Sequence, residues 1–94
     1  MAEPSVTHRP AEGTRPGTFE LAVDGKQVGF LTYLLDGAAT MNIEFVEVDF
    51  ALRNQGLGEQ LVHAAVEWAK AQKRQVVPMC SFARLVLQKE QPET

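Results

Sequence analysis

Between Val48 and Leu57 the apolar pattern of this chain changes period, and the stretch Arg53-Asn54-Gln55-Gly56-Leu57-Gly58 lies at the change. Upstream, Met41-Asn42-Ile43-Glu44-Phe45-Val46-Glu47-Val48 has strand chemistry; downstream, Leu57, Leu61, Ala65 and Trp68 recur at helical spacing. The glycines therefore fall at a helix N-terminus. There the first amides lack internal partners and the dipole is positive, which favours a bound anion. Gly56 and Gly58 also let a ligand oxygen approach the backbone closely and let the chain take φ > 0. Two familiar phosphate loops fail here. Leu61 stands where a dinucleotide fingerprint needs its third Gly or Ala, and no Gly-Lys-Ser/Thr follows for a P-loop. From these six residues alone, a phosphate grip and a ligand-free strand-to-helix connection both stay open.

Around this stretch the chain reads as one α/β (α+β) domain of 94 residues, long enough for a single core. Residues 1 to 17 carry Pro4, Pro10, Pro16, Gly13 and Gly17 among polar residues, with Val6 as the one sizeable apolar side chain. That composition predicts a flexible N-terminal arm, with room for a short extended piece near Val6-Thr7-His8, and gives His8 no role. The ordered domain is expected over 18–94. Phe19 to Val23, Gln27 to Leu35 and about Ala39 to Val48 read as three strands, and Asp24-Gly25 and Asp36-Gly37 mark the turns of an antiparallel meander. A helix from about Leu57 to Lys73 should bury Leu57, Leu61, Ala64, Ala65, Trp68 and Ala69, with Lys70, Lys73 and Arg74 in its last turn. A short parallel strand, Gln75 to Cys80, completes a strand-helix-strand unit, and Ser81 is expected to cap a final helix. Pro78 inside that strand cannot donate to a ladder, so a gap between it and the Phe45 to Val48 strand is expected beside Gly58. The tail from Gln91 should fray.

Composition narrows the partners. A net charge of −3 and the lack of a basic stripe interleaved with aromatics argue against nucleic acid. The single cysteine, Cys80, excludes an intramolecular disulfide, and without Cys/His ligand spacing no structural zinc is expected. No apolar run approaches the roughly 18 residues of a membrane span, and no leader pattern opens the chain, so a cytoplasmic location and no membrane partner are expected.

Three stretches carry a resemblance. Phe19-Glu20-Leu21 with Val23-Asp24-Gly25 and Leu31-Thr32-Tyr33 is similar to Phe-Glu-Leu, Asp-Gly and Leu-x-Tyr strand signatures. Glu47-Val48 followed by Leu52-Arg53-Asn54-Gln55-Gly56-Leu57-Gly58 contains Arg/Gln-x-x-Gly-x-Gly/Ala. Val77-Pro78-Met79-Cys80-Ser81-Phe82 is close to Pro-x-Cys-x-Tyr/Phe. Together they resemble the small single-domain GNAT-like N-acetyltransferases, a minimal acyl-CoA N-acyltransferase fold.

That resemblance implies acetyl-CoA, or another short acyl-CoA, as acyl donor, with no metal. It places the diphosphate on the amides of Gln55 to Glu59, with Arg53, Asn54, Gly56, Leu57 and Gly58 around it, and the pantetheine arm along Glu47-Val48. The acceptor would be an amine of a small molecule or of a protein lysine or N-terminus. Glu47 is the candidate base, alongside a reading as a solvated strand residue. Cys80 is either an acyl-accepting nucleophile, as its place in the motif implies, or a small buried hydrophobe; a thiol with pKa about 8.5 is mostly protonated at neutral pH. The chain departs from the family pattern where Phe45 stands for a histidine, Phe82 lacks a tyrosine hydroxyl, and Gln91-Pro92 replaces His-Pro. An acyl-CoA-dependent N-acetyltransferase is thus the first reading, by direct attack or through an acyl-cysteine. A catalytically weak or inactive acyl-CoA-binding or sensing module is the second, and an interaction domain using its sheet is the third.

Overall fold

A computed structural model describes residues 3–90. One sheet runs in chain order through β1 (Ser5–Arg9), β2 (Gly17–Val23), β3 (Lys26–Asp36), β4 (Thr40–Val48) and β5 (Gln75–Pro78). Helix α1 (Leu57–Ala71) links β4 to β5, and α2 (Ser81–Glu90) follows β5. The first four strands pair antiparallel, while the α1 crossover makes β4 and β5 parallel. The meander, the strand-helix-strand unit and the last helix match the expected order. Asp24 and Gly25 both take positive φ, 55° and 77°, which is what a two-residue hairpin with matching twist requires.

Both helices pack on one face of the sheet. Leu21, Leu31, Tyr33, Met41 and Ile43 point to that face and meet Leu61, Val62, Ala65 and Ala69 of α1, and all are fully buried. Each large aliphatic among them contributes about 2 kcal/mol by leaving water. Ala83 and Val86 of α2 join the same core. The opposite face carries Thr18, Glu20, Phe30, Thr32, Leu34, Asn42 and Phe45, none of them buried.

Three expectations need correction. The first concerns the arm over residues 1–17, where Ser5–Arg9 pairs with β2 from Ser5↔Ala22 to Arg9↔Thr18. Aliphatic content gave no hint of this, because the strand is held by His8. Its ring stacks on Phe19 at 4.0 Å and 5°, and meets Trp68 edge-on at 4.9 Å. Its Nε2 lies 2.6 Å from the Tyr33 hydroxyl, which also accepts the Ala11 N–H at 3.3 Å. Secondly, α1 ends at Ala71, so of the three cations only Lys70 lies in its last turn. Lys73 takes φ 59°, and Arg74, beyond the helix, donates to Gly37 O at 2.9 Å and Thr40 O at 3.4 Å, tying down the β3–β4 turn. Thirdly, the cap of α2 is Cys80 in place of Ser81: the Ala83 N–H donates to Cys80 Sγ at 3.4 Å and the Arg84 N–H to Cys80 O at 3.0 Å. The tail from Gln91 lies outside the described residues.

The His8 contact makes a pH prediction. Burial lowers its pKa from 6.5, so folding favours the neutral ring, whose Nε2 can accept the Tyr33 proton. The folded value lies below the unfolded one, so this contribution is complete above pH 6.5 and is lost as pH falls from there through the folded value. Melting temperatures at pH 7.5 and pH 5 should therefore diverge more for the wild type than for His8→Phe, which keeps the stack and removes the proton. Equal pH sensitivity in both proteins would refute this assignment.

Candidate functional site

β4 and β5 pair only from Thr40↔Gln75 to Ile43↔Pro78, and the last contact is the Met79 N–H donating to Ile43 O at 2.8 Å. Glu44 is an extra residue in β4, because Thr32 pairs with Phe45 and Tyr33 with Ile43. Such a bulge bends a strand and re-aims its side chains. Beyond it, Val46 lies opposite buried Leu31 and so faces the helices, while Phe45 and Glu47 lie on the face of Phe30, whose ring is 6.0 Å from that of Phe45. β4 therefore runs on to Val48 with β5 no longer beside it. The expected gap opens there.

A cleft of about 680 Å³ fills the gap and reaches the start of α1. Gly56 takes φ 78° and ψ 8° at the N-cap, a left-handed conformation that costs a side-chain-bearing residue about 1 to 2 kcal/mol. Having no side chain, it caps nothing, and the first intrahelical bond is the Gln60 N–H to Gly56 O at 3.1 Å. The N–H groups of Leu57, Gly58 and Glu59 precede that bond, and all three residues line the cleft. Gly58 is needed for a different reason: a Cβ there would sit 2.8 Å from Cζ of Phe82, so α2 closes on α1 at this point. The Arg53 guanidinium stands at the rim, with its centre 5.4 Å from the Phe50 ring and Nε 3.4 Å from Val48 O.

Of the residues singled out in the sequence, Glu47, Val48, Arg53, Asn54, Gly56, Leu57, Gly58 and Glu59 come together on this cleft, and Gln55 and Cys80 do not. Gln55 is exposed. Cys80 is half-buried against the core, its sulfur engaged at the start of α2. Phe45, the residue in the histidine's place, is 49% exposed on the same face as Glu47, so a histidine at that position would stand on the same side of the sheet as Glu47. Sequence reasoning missed Lys89, which lines the cleft with Phe82 and reaches Glu59 Oε2 at 3.8 Å. Lys89 lies seven residues after Phe82, two turns on the same helix face, and that spacing was the available signal.

Residues 18–94 match the family model described as GCN5-related N-acetyl-transferase. Among solved structures, a GNAT family acetyltransferase from Elizabethkingia anophelis, solved with acetyl-CoA bound, superposes with a TM-score of 0.74 at 16% identity over 93% of this chain and 73% of its own. An IAA acetyltransferase from Bacillus cereus ATCC 14579 gives 0.74 at 20% identity, over 94% and 75%. A ribosomal-protein-alanine N-acetyltransferase from Brucella melitensis biovar Abortus 2308 gives 0.66 at 17% identity, over 84% of this chain and 65% of that one, so the present chain spans just under two thirds of that enzyme's length. A search of curated proteins returned no matching sequence. At these identities the superpositions speak for the fold, and the family match covers most of the sequence. The chain belongs to the GCN5-related N-acetyltransferase family.

Proposed function

We propose that this protein transfers an acetyl group from acetyl-CoA to a primary amine by direct attack. The single observation that carries the reading is that Leu57, Gly58 and Glu59, whose N–H groups precede the first intrahelical bond and meet no side-chain cap among the described residues, line a cleft that continues along the unpaired end of β4. Leu57, Gly58 and Glu59 would donate to the diphosphate, where the helix dipole and Arg53 add positive potential. The free edge of β4 at Val46 to Val48 would pair with the amides of the pantetheine arm as another strand does. Such binding holds the thioester in place for an amine and removes much of the entropic barrier. Glu47 would then take the proton the nitrogen loses as the N–C bond forms. The C–S bond breaks, and the proton passes through water to the departing thiolate. The position of Cys80, away from the cleft with its sulfur on the Ala83 N–H, favours direct attack over an acyl-cysteine.

A ligand that binds only the folded state stabilises it by about 2.7 kcal/mol at a hundred times its Kd. For a domain of this size that raises the melting temperature by roughly 10 °C or more. Acetyl-CoA at that concentration should produce such a shift and ATP should not; no shift with acetyl-CoA would remove the proposal. Release of free thiol across an amine panel then separates an enzyme from a module that only binds acyl-CoA. The second reading draws support from Phe45, which puts an apolar ring where proton-transfer help would come from.

A further inference from the structure

Lys89 lines the donor cleft from α2, and its ammonium lies 3.8 Å from Glu59 Oε2 in the first turn of α1. We infer that Lys89 exchanges Glu59 for the ribose phosphate of coenzyme A, the monoester outside the diphosphate, and so makes this site distinguish acetyl-CoA from its 3′-dephospho form. The inference rests on the acyl donor proposed above and gives it one further binding residue.

The charges around the cleft leave this role to Lys89. The charged residues lining it are Glu47, Arg53, Glu59 and Lys89. The pairing of Glu47 opposite Phe30 turns its side chain to the face of the sheet away from the helices. Arg53 stands on the β4 side, with Nε 3.4 Å from Val48 O, and adds to the potential that the diphosphate meets. Lys89 comes from the other wall. There α2 touches α1 where Phe82 meets Gly58, and Lys89 follows seven residues later on the same helix face, about 10 Å farther along the axis. The cleft therefore holds one cation beside the first amides of α1 and a second two helical turns beyond the Phe82 contact. Coenzyme A carries a matching pair of anions: the diphosphate, and a monoester with a charge of about −1.5 to −2 at pH 7.

The Lys89–Glu59 pair is of a kind that exchanges easily. Its side chains are 72% and 36% exposed, so solvent screens the attraction and the pair adds little to stability. A phosphate monoester offers an ammonium more charge than a carboxylate does, through the same charge-assisted hydrogen bonds. Glu59 also keeps a favourable place without Lys89, because a carboxylate in the first turn suits the helix dipole.

The test is calorimetric titration of CoA and of 3′-dephospho-CoA into the wild type and Lys89→Gln. The variant should bind CoA about tenfold more weakly, the loss expected when one charge-assisted contact is removed, and dephospho-CoA within about twofold of wild type. Lys89→Arg should keep the wild-type preference, since a guanidinium also pairs with phosphate. Added salt should shrink that preference in the wild type and leave Lys89→Gln without one. Glu59→Gln, which frees Lys89, should tighten CoA more than dephospho-CoA. Lys89 is exposed, and unchanged melting temperatures would show that its variants fold. Equal losses for the two ligands would mean that Lys89 serves the diphosphate, and an unchanged CoA affinity would mean that it serves neither group; each overturns the inference and leaves the donor standing. If the wild type fails to bind CoA at all, the proposed donor and this inference fall together.

Discussion

Glu47→Gln is expected to lower kcat for acetyl transfer by about a hundredfold, with the KM for acetyl-CoA nearly unchanged, because loss of a positioned base costs 10²-fold or more. The amide keeps the size and polarity of the side chain and removes its ability to take a proton. The residue is well placed to show that difference cleanly. It lines the cleft at the unpaired end of β4, and its pairing opposite Phe30 puts its side chain on the face of the sheet away from the helices. Its side chain is exposed, so neither packing nor stability depends on it. The measurement is steady-state kinetics with both substrates varied. A kcat within about threefold of wild type would rule out Glu47 as the proton acceptor, since even a weak general base contributes more than that. A rise in the KM for acetyl-CoA at constant kcat would instead mark it as a binding residue.

The sequence made some of this legible and hid the rest for physical reasons. The start of α1 and its glycine N-cap could be read, because the glycines and the change of hydrophobic period are local signals. The gap between β4 and β5 could also be read, through Pro78, although the bulge at Glu44 that re-aims the end of β4 left no local trace. β1 was hidden because its hold on the core is a histidine stacked on Phe19 and bonded to Tyr33, contacts that span eleven and twenty-five residues. Cys80 shows how a motif position can carry two jobs: its place in the sequence pointed to chemistry, and its sulfur ends up accepting an N–H at the start of α2. Gln55, inside the phosphate signature, is there for the spacing of Arg53 and Gly56 and lines no part of the cleft.

Gly17→Ala is expected to destabilise the fold by about 3 kcal/mol, the upper end of overpacking costs. For a domain of this size that is a fall of about 15 °C in melting temperature. A Cβ at Gly17 would lie 2.2 Å from Cζ of Tyr33, 2.4 Å from its hydroxyl oxygen and 2.5 Å from Cε1. Clashes with the tip of an exposed side chain are cheap, because the tip swings away. Here it cannot. Tyr33 is fully buried, with the rings of Phe19, His8 and Trp68 packed around it at 5.6 to 5.7 Å, and its hydroxyl is fixed by His8 and the Ala11 N–H. Moving the ring breaks those bonds and loosens β1, so the same variant should lose the pH sensitivity assigned to His8. Gly13→Ala separates this effect from backbone strain: Gly13 takes φ 58° with nothing within 4 Å, so alanine there costs about 1 kcal/mol of conformational strain and no clash. Thermal unfolding of the two variants side by side decides the matter. Equal melting temperatures would mean that Tyr33 has room to retreat and that the aromatic cluster is not what holds β1 to the sheet.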